Sequence, residues 1–186
     1  EQDEMITMIE DSARRFLDDL SESETQSADD LWPSFTEMGW LGLALPEAHG
    51  GAGLGIAEVC ALTRLFGRFA VPNAYISQCV LPSFLIANTD NASASASAIG
   101  ESIASGEKRV SVAWQEKAGD LNHQPTGCTI SAGKLNGSKC FVAGASVANT
   151  FLVSCSINGE NAIVAVDATA SGVSVEQGIE SDLNFA

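Results

Sequence analysis

Histidine is almost absent from this chain. Only His49 and His123 occur, with no cysteine near either, so no set of closely spaced zinc ligands can be drawn. Cysteine is present five times, at 60, 79, 128, 140 and 155, but never as a C-x-x-C pair, and the number is odd. A disulfide framework is therefore not expected, and a reducing cytoplasm is the compartment that fits. Cys60 and Cys155 lie in apolar runs and read as small core residues. Basic residues are scarce: nine Lys and Arg stand against 24 Asp and Glu, for a net charge of −15. Nucleic-acid binding needs a face that neutralises phosphates, and this balance excludes it. The local basic cluster that a polyanionic ligand could find is Lys108-Arg109, with Lys117, Lys134 and Lys139 further on.

Long hydrophobic runs are missing too. No stretch of eighteen apolar residues exists, so no membrane span is expected. The start, Glu1-Gln2-Asp3-Glu4, is acidic and does not read as a secretory signal, which makes the triplets at Asn91 and Asn136 chance matches to a glycosylation site. No G-x-S-x-G elbow supports a serine hydrolase. Gly51-x-Gly53 is followed by Ile56 where a dinucleotide fingerprint needs its third glycine.

What is present is a globular composition, 45% hydrophobic and 18% charged, that changes character near residue 107. Before it, apolar residues recur at helical spacing. Met5, Ile6, Ile9, Ala13, Phe16, Leu17 and Leu20 mark one face of a first helix. Residues 21–27 read as a loop, Asp30 as the N-cap of a short second helix with Pro33 in its first turn, and Gly39 as its left-handed stop. Residues 40–46 form an apolar stretch expected to be extended, with Trp40 buried between helices under a tight loop over 50–53. Helices follow at 56–69, broken by Pro72, at 74–88, and through the Ala/Ser run up to Gly106. His49 and His123 are expected at the surface.

After Gly106 the pattern switches to period two. Strands are expected at 109–114, 126–131, 134–143, 150–156, 161–167 and 173–176. Turns are expected at Gly133, Asn136-Gly137, Asn158-Gly159 and Ser171-Gly172. The fold class expected is α+β: an all-helical N-terminal domain, 1–106, then a small antiparallel β-barrel-like domain, 107–186.

Five motifs then appear in order. Residues 38–54, MGWLGLALPEAHGGAGL, resemble the G-x-x-G…P-E-x-x-G-G segment of acyl-CoA dehydrogenases. Residues 65–69, LFGRF, look like that family's "E-x-L-G-R" helix end. The segment from Ile99 to Glu107 resembles "P-x-L-A-x-G-E". Residues 135–142, LNGSKCFV, resemble "L-N-G-x-K-x-W/F-I", and residues 148–153, ANTFLV, look like "A-D-x-x-L-V". The resemblance runs over essentially the whole chain.

It implies FAD-dependent α,β-dehydrogenation of an acyl-CoA thioester, with electron transfer flavoprotein as acceptor and a homo- or hetero-oligomer as assembly. In such enzymes a glutamate removes the α-proton and the β-hydride goes to FAD. The resemblance places the flavin edge at two pieces of this chain. Val112, Trp114 and Gln115 fall on the "T/S-E-P" strand, with Gln115 at the hydroxyl position. Phe141 and Ala143 fall on the "W-I-T" strand, with Ala143 at the second hydroxyl position. Gly119 and Asp120 fall in the segment that approaches the thioester. The departures matter: Gln115 can still donate through its amide, whereas Ala143 cannot donate at all. The family's C-terminal helical bundle, with its catalytic glutamate, has no counterpart within residues 1–186. No catalytic residue is therefore assigned, and the stretch alone is expected to be inactive and to hold FAD weakly. Two alternatives stay open: a non-catalytic partner subunit of a heteromeric dehydrogenase, and a related flavin-dependent monooxygenase.

Overall fold

In the computed structural model, the structure describes residues 2–21, 27–71, 74–89 and 94–178. The expected break at Pro72 and the Asn91 triplet lie outside them. Helices come first: α1 (Gln2–Ser21), α2 (Ala28–Glu37), α3 (Ile56–Arg68), α4 (Leu81–Ala87) and α5 (Ala94–Ala104). No helix among the described residues is long and apolar enough to cross a membrane.

The helices form where their apolar spacing gives one face to bury. On α1 that face is Ile9, Ala13 and Leu17, each four residues apart and all buried. The second helix starts one turn earlier than expected. Ser27 is the N-cap, and Asp30 is the third helical residue: the Ser27 Oγ accepts from Asp30 N, and the Asp30 carboxylate accepts from Ser27 N. This reciprocal box satisfies two backbone donors at once. Pro33 consequently sits inside the helix rather than in its first turn. Gly39, at φ +70°, ends it as expected.

The stretch after Gly39 is not extended. Residues Trp40–Gly42 wind into a 3-10 turn, and Glu47–His49 into another. The reason is the aromatic knot that the turn feeds: Trp40 packs edge-on to Phe16 and Phe66 at 5.4 and 5.5 Å, and Tyr75 Oη donates to Trp40 O at 2.8 Å. The glycine loop then folds back over the turn. Ala52 N donates to Gly42 O, Gly53 N to Leu45 O and Leu54 N to Leu43 O. Gly51 passes so close that a β-carbon there would lie 2.1 Å from Leu45 O. His49 is buried rather than at the surface, with Nδ1 2.9 Å from Ser97 Oγ. Cys60, conversely, is exposed: it falls on the outer face of α3.

A π-helical turn, Ile76–Val80, runs directly into α4. At the junction with the strands, Trp32 Nε1 donates to Gly106 O at 3.2 Å, and the Arg109 guanidinium lies 4.5 Å above the Trp32 ring and pairs with Asp29.

The strands are β1 (Val110–Ala113), β2 (Thr129–Ser131), β3 (Lys134–Asn136), β4 (Thr150–Ile157) and β5 (Glu160–Asp167). Strand β4 is the spine. One edge carries β5, antiparallel over its full length; the other carries β1 against residues 150–153 and β2 against 156–157, both parallel. β3 closes a hairpin on β2. The sheet is mixed and open, not the antiparallel barrel-like arrangement expected. The two hairpin turns are Ala132-Gly133 and Asn158-Gly159, each with two positive φ values, the geometry that matches strand twist. Asn136-Gly137 makes no hairpin; it ends β3, so the strand expected to reach 143 stops at 136. Residues 173–176 form no strand. A second apolar cluster, built on Ala113, Cys128, Phe151, Val153 and Cys155, fills the sheet, while Val110 and Leu152 pack into the helical core.

Candidate cofactor face

Period-two alternation directs β1 to two sides. Val110 and Val112 pack on the helical core, while Ser111 and Ala113 face the other way. Ser111 is fully buried, and its Oγ donates to Ala143 O at 2.9 Å. Beyond β1 the chain leaves the sheet as residues 114–116, and the segment 139–141 lies against it: Cys140 N donates to Gln115 O at 2.8 Å. The two pieces assigned from sequence, 112–115 and 141–143, are thus neighbours despite the 25 residues between them.

Their side chains are placed unequally. Phe141 is 73% exposed, at φ +53°, a region that bulky residues rarely adopt. Trp114 is half-buried and Ala143 exposed. Gln115 is buried, and its Nε2 donates one of its two hydrogens to Lys117 O at 3.0 Å, which turns the amide toward the local backbone. Gly119, at φ +75°, and Asp120 form an exposed turn of their own, with Asp120 N donating to Lys117 O and Asn122 N to the Asp120 carboxylate.

Behind this face sits a polar cluster whose two charged members fall on motif letters but whose pairing the motifs do not state. The Lys139 ammonium, with only 6% of its side chain exposed, donates to Glu116 Oε1 at 3.0 Å, Ser154 Oγ at 3.0 Å and Trp114 O at 3.2 Å. The Glu116 carboxylate also accepts from Gly127 N, Cys128 N, Thr126 N and Thr126 Oγ. Desolvation pushes its pKa up, but the Gly127, Lys139, Thr126 and Cys128 donors outweigh it and hold the value at about 2. The available signal was that Glu116 adjoins Gln115 and that Lys139 stands two residues before Phe141; sequence does not pair them across 23 residues.

Because the folded value lies below the ordinary 4.5, Glu116 contributes stability above about pH 4.5, and that contribution is lost as pH falls toward about 2. Asp30 and Asp167, both lowered chiefly by side-chain hydrogen bonds from Ser27 and Thr169, act in the same acid range. Glu116→Gln isolates one carboxylate. The stability gap between wild type and variant, from urea melts, should narrow between pH 4.5 and 2; a constant gap would remove Glu116 from the acid response.

On the helical side, Gln78 from the π-turn donates its Nε2 to Gly144 O at 3.1 Å, and its Oε1 has no hydrogen-bond partner among the described residues. Gly144 is at φ +73°, and a β-carbon there would come within 2.7 Å of Gln78 Nε2. A concavity on the outer face of α1, lined by Met8, Asp11, Ser12, Arg15, Phe16, Asp19 and Met38, shares no residue with this face. No cluster of three or more metal-ligating side chains occurs among the described residues. Two of the basic residues are committed: Arg109 to Asp29 and Trp32, Lys139 to Glu116.

Residues 1–89 match the family model described as acyl-CoA dehydrogenase, N-terminal domain. Acyl-CoA dehydrogenase FadE27 of Mycobacterium tuberculosis is 28% identical over 157 residues, 84% of this chain and 42% of that protein. A variant of the Tcur3481-Tcur3483 steroid ACAD superposes with a TM-score of 0.75 at 29% identity, over 92% of this chain and 50% of its own. An acyl-CoA dehydrogenase from Bacillus anthracis, complexed with FAD, gives 0.70 at 23% identity, over 94% of this chain and 33% of its own, a likeness of fold. The chain spans about half, or less, of the length of these relatives.

Proposed function

Taking as premise that the chain belongs to the acyl-CoA dehydrogenase family, we propose that its parent protein is a flavoprotein that dehydrogenates an acyl-CoA thioester between the α and β carbons, passing electrons to an electron transfer flavoprotein. Residues 1–106 serve as its helical domain and 107–186 as its β-domain. The observation that carries the reading is the exposed Phe141, presented beside residues 114–116 on a backbone pinned from both sides. An aromatic ring left in the open at a strained backbone position has no packing role to explain it, and a planar ring system is the partner it fits.

The fit to FAD divides in two. A ring face is available at Phe141, with Ala143 beside it and Trp114 half-open. The side-chain donors expected at the ring edge are not: Ala143 has none, and the Gln115 amide is turned to Lys117 O. Residues Trp114, Phe141 and Ala143 would lie against the flavin, with the backbone of 141–144 supplying what donors there are; Gly119 and Asp120 would approach the thioester. The chemistry FAD supplies when bound is acceptance of the β-hydride. We assign no catalytic base within residues 1–186. The acyl group is open, and the steroid ACAD relative puts steroid-linked thioesters first among those to test.

The missing edge donors favour a second reading: a non-catalytic subunit that pairs with a flavin-binding partner. The paired name of the Tcur3481-Tcur3483 relative supports a heteromeric assembly.

Phe141→Ala separates the two. Since Phe141 is exposed, its loss leaves folding stability unchanged. In the full-length protein it should weaken FAD binding roughly two- to tenfold, the ~0.5–1.5 kcal/mol of an aromatic pair. Titration of apoprotein with FAD, beside a urea melt, measures both. Wild-type protein that takes up no FAD alone or with a co-expressed partner defeats the flavin reading; uptake only in the presence of a partner selects the second one.

A further inference from the structure

We infer, resting on the flavin-side reading above, that Lys139 and Glu116 are positioning residues that set the segment carrying Phe141 against the flavin ring. An exposed aromatic side chain is not held by burial, so its placement depends on the main chain at either side. After Phe141, the Ala143 and Gly144 carbonyls are tacked down by Ser111 Oγ and Gln78 Nε2. Before it, the anchors are Cys140 N on Gln115 O and the Lys139 ammonium. An ammonium has three hydrogens, and Lys139 has three acceptors: one on residue 114, one on residue 116 and one on β4. One side chain therefore ties the two flavin-facing segments to each other and to the spine of the sheet.

Glu116 extends the tie. Its Oε2 takes Thr126 N, Thr126 Oγ and Gly127 N, and its Oε1 takes Cys128 N as well as Lys139, so the loop entering β2 is bound into the same cluster. The charges neutralise each other two residues from Phe141. With all its hydrogens committed, Lys139 has none to give to a phosphate or a thioester carbonyl; its effect on the cofactor passes through the backbone it holds.

The test uses the full-length protein with two variants. Glu116→Gln/Lys139→Met removes both charges together, so neither is stranded, and retains an oxygen to accept from residues 126–128. Lys139→Arg keeps the charge and a donor set. Urea melts establish that each is folded. In apoprotein, the alkylation rate of the half-buried Cys140, mapped by mass spectrometry with the exposed Cys60 as internal reference, reports how firmly the segment is held without any flavin. Titration with FAD and the visible spectrum of the bound flavin report the ring. The double variant should show faster Cys140 alkylation, FAD binding weakened roughly tenfold and an altered flavin spectrum, while Lys139→Arg stays near wild type on all three. Wild type that binds FAD, with a double variant matching it in affinity and spectrum, overturns the inference and leaves the flavin reading standing, whether or not Cys140 has become more reactive. Wild type that binds no FAD overturns the flavin reading, and the inference with it.

Discussion

Trp40→Ala is expected to cost about 3–5 kcal/mol of folding stability, the range for deleting a large aromatic from a filled core. Trp40 is 3% exposed. Its ring has Phe16, Phe35 and Phe66 at centroid distances of 5.4 to 5.5 Å, and Phe35 in turn stacks on Phe66 at 4.9 Å. These neighbours come from α1, α2 and α3, so the indole is where three helices meet. Alanine would leave a cavity that none of them can close without parting from the others. The Tyr75 hydrogen bond survives in principle, because it is made to the Trp40 carbonyl. Urea unfolding at neutral pH should show a lower midpoint with an unchanged slope, and Trp40→Phe should fall between. A midpoint that does not move would mean that the aromatic knot is not packed as described.

Lys139→Met should cost a comparable amount, about 3–5 kcal/mol, for a different reason. The pair is buried, with 6% and 12% of the two side chains exposed. Removing the ammonium strands the Glu116 carboxylate and takes one donor each from Ser154 Oγ and from Trp114 O, the latter keeping the Ser154 hydroxyl. The backbone donors of residues 127 and 128 continue to stabilise the carboxylate, which sets the lower end of the range. Glu116→Gln/Lys139→Met should be destabilised by far less than the sum of the two single changes, since no uncompensated charge remains. A double-mutant cycle from urea midpoints measures that coupling. Additive effects would show that the ion pair is energetically idle.

The helical half was legible from residue order because its signals are local. Apolar spacing located α1, α3 and α5, and Gly39 was recognisable as a left-handed stop because few other residues tolerate that conformation. The errors in this half came from competition between local options. Asp30 and Ser27 are both good N-caps, and their reciprocal bonds, not their types, decide which residue is the cap and which is the third of the helix. His49 reads as polar and exposed until the glycine loop folds it beneath Ser97.

In the β half, alternation located β1, β2, β4 and β5, but it overran β3 and marked a strand at 173–176 that does not form, and it did not give the pairing. Nothing in the sequence states that β1 and β2 share one edge of β4, both parallel to it. An Asn-Gly step turns a hairpin at 158–159 and merely ends a strand at 136–137. The difference is that β4 and β5 both have eight residues to pair, whereas the chain after Gly137 is drawn away by the Lys139 contacts.

The sequence by itself determined the class of the chain, its helix-then-strand order and its likeness to the acyl-CoA dehydrogenases. These depend on residue type and short-range spacing, and both are printed in the order of the letters. Tertiary structure alone decided that Gln115 is turned inward, that Phe141 stands exposed at positive φ, and that Glu116 and Lys139 are one buried unit. Each of those depends on how segments far apart in the chain come together: Cys140 N on Gln115 O, Ser111 Oγ on Ala143 O, and Lys139 on Glu116. That geometry exists only once the strands between them have chosen their neighbours, and burial then makes an ordinary surface pair into a tightly held one.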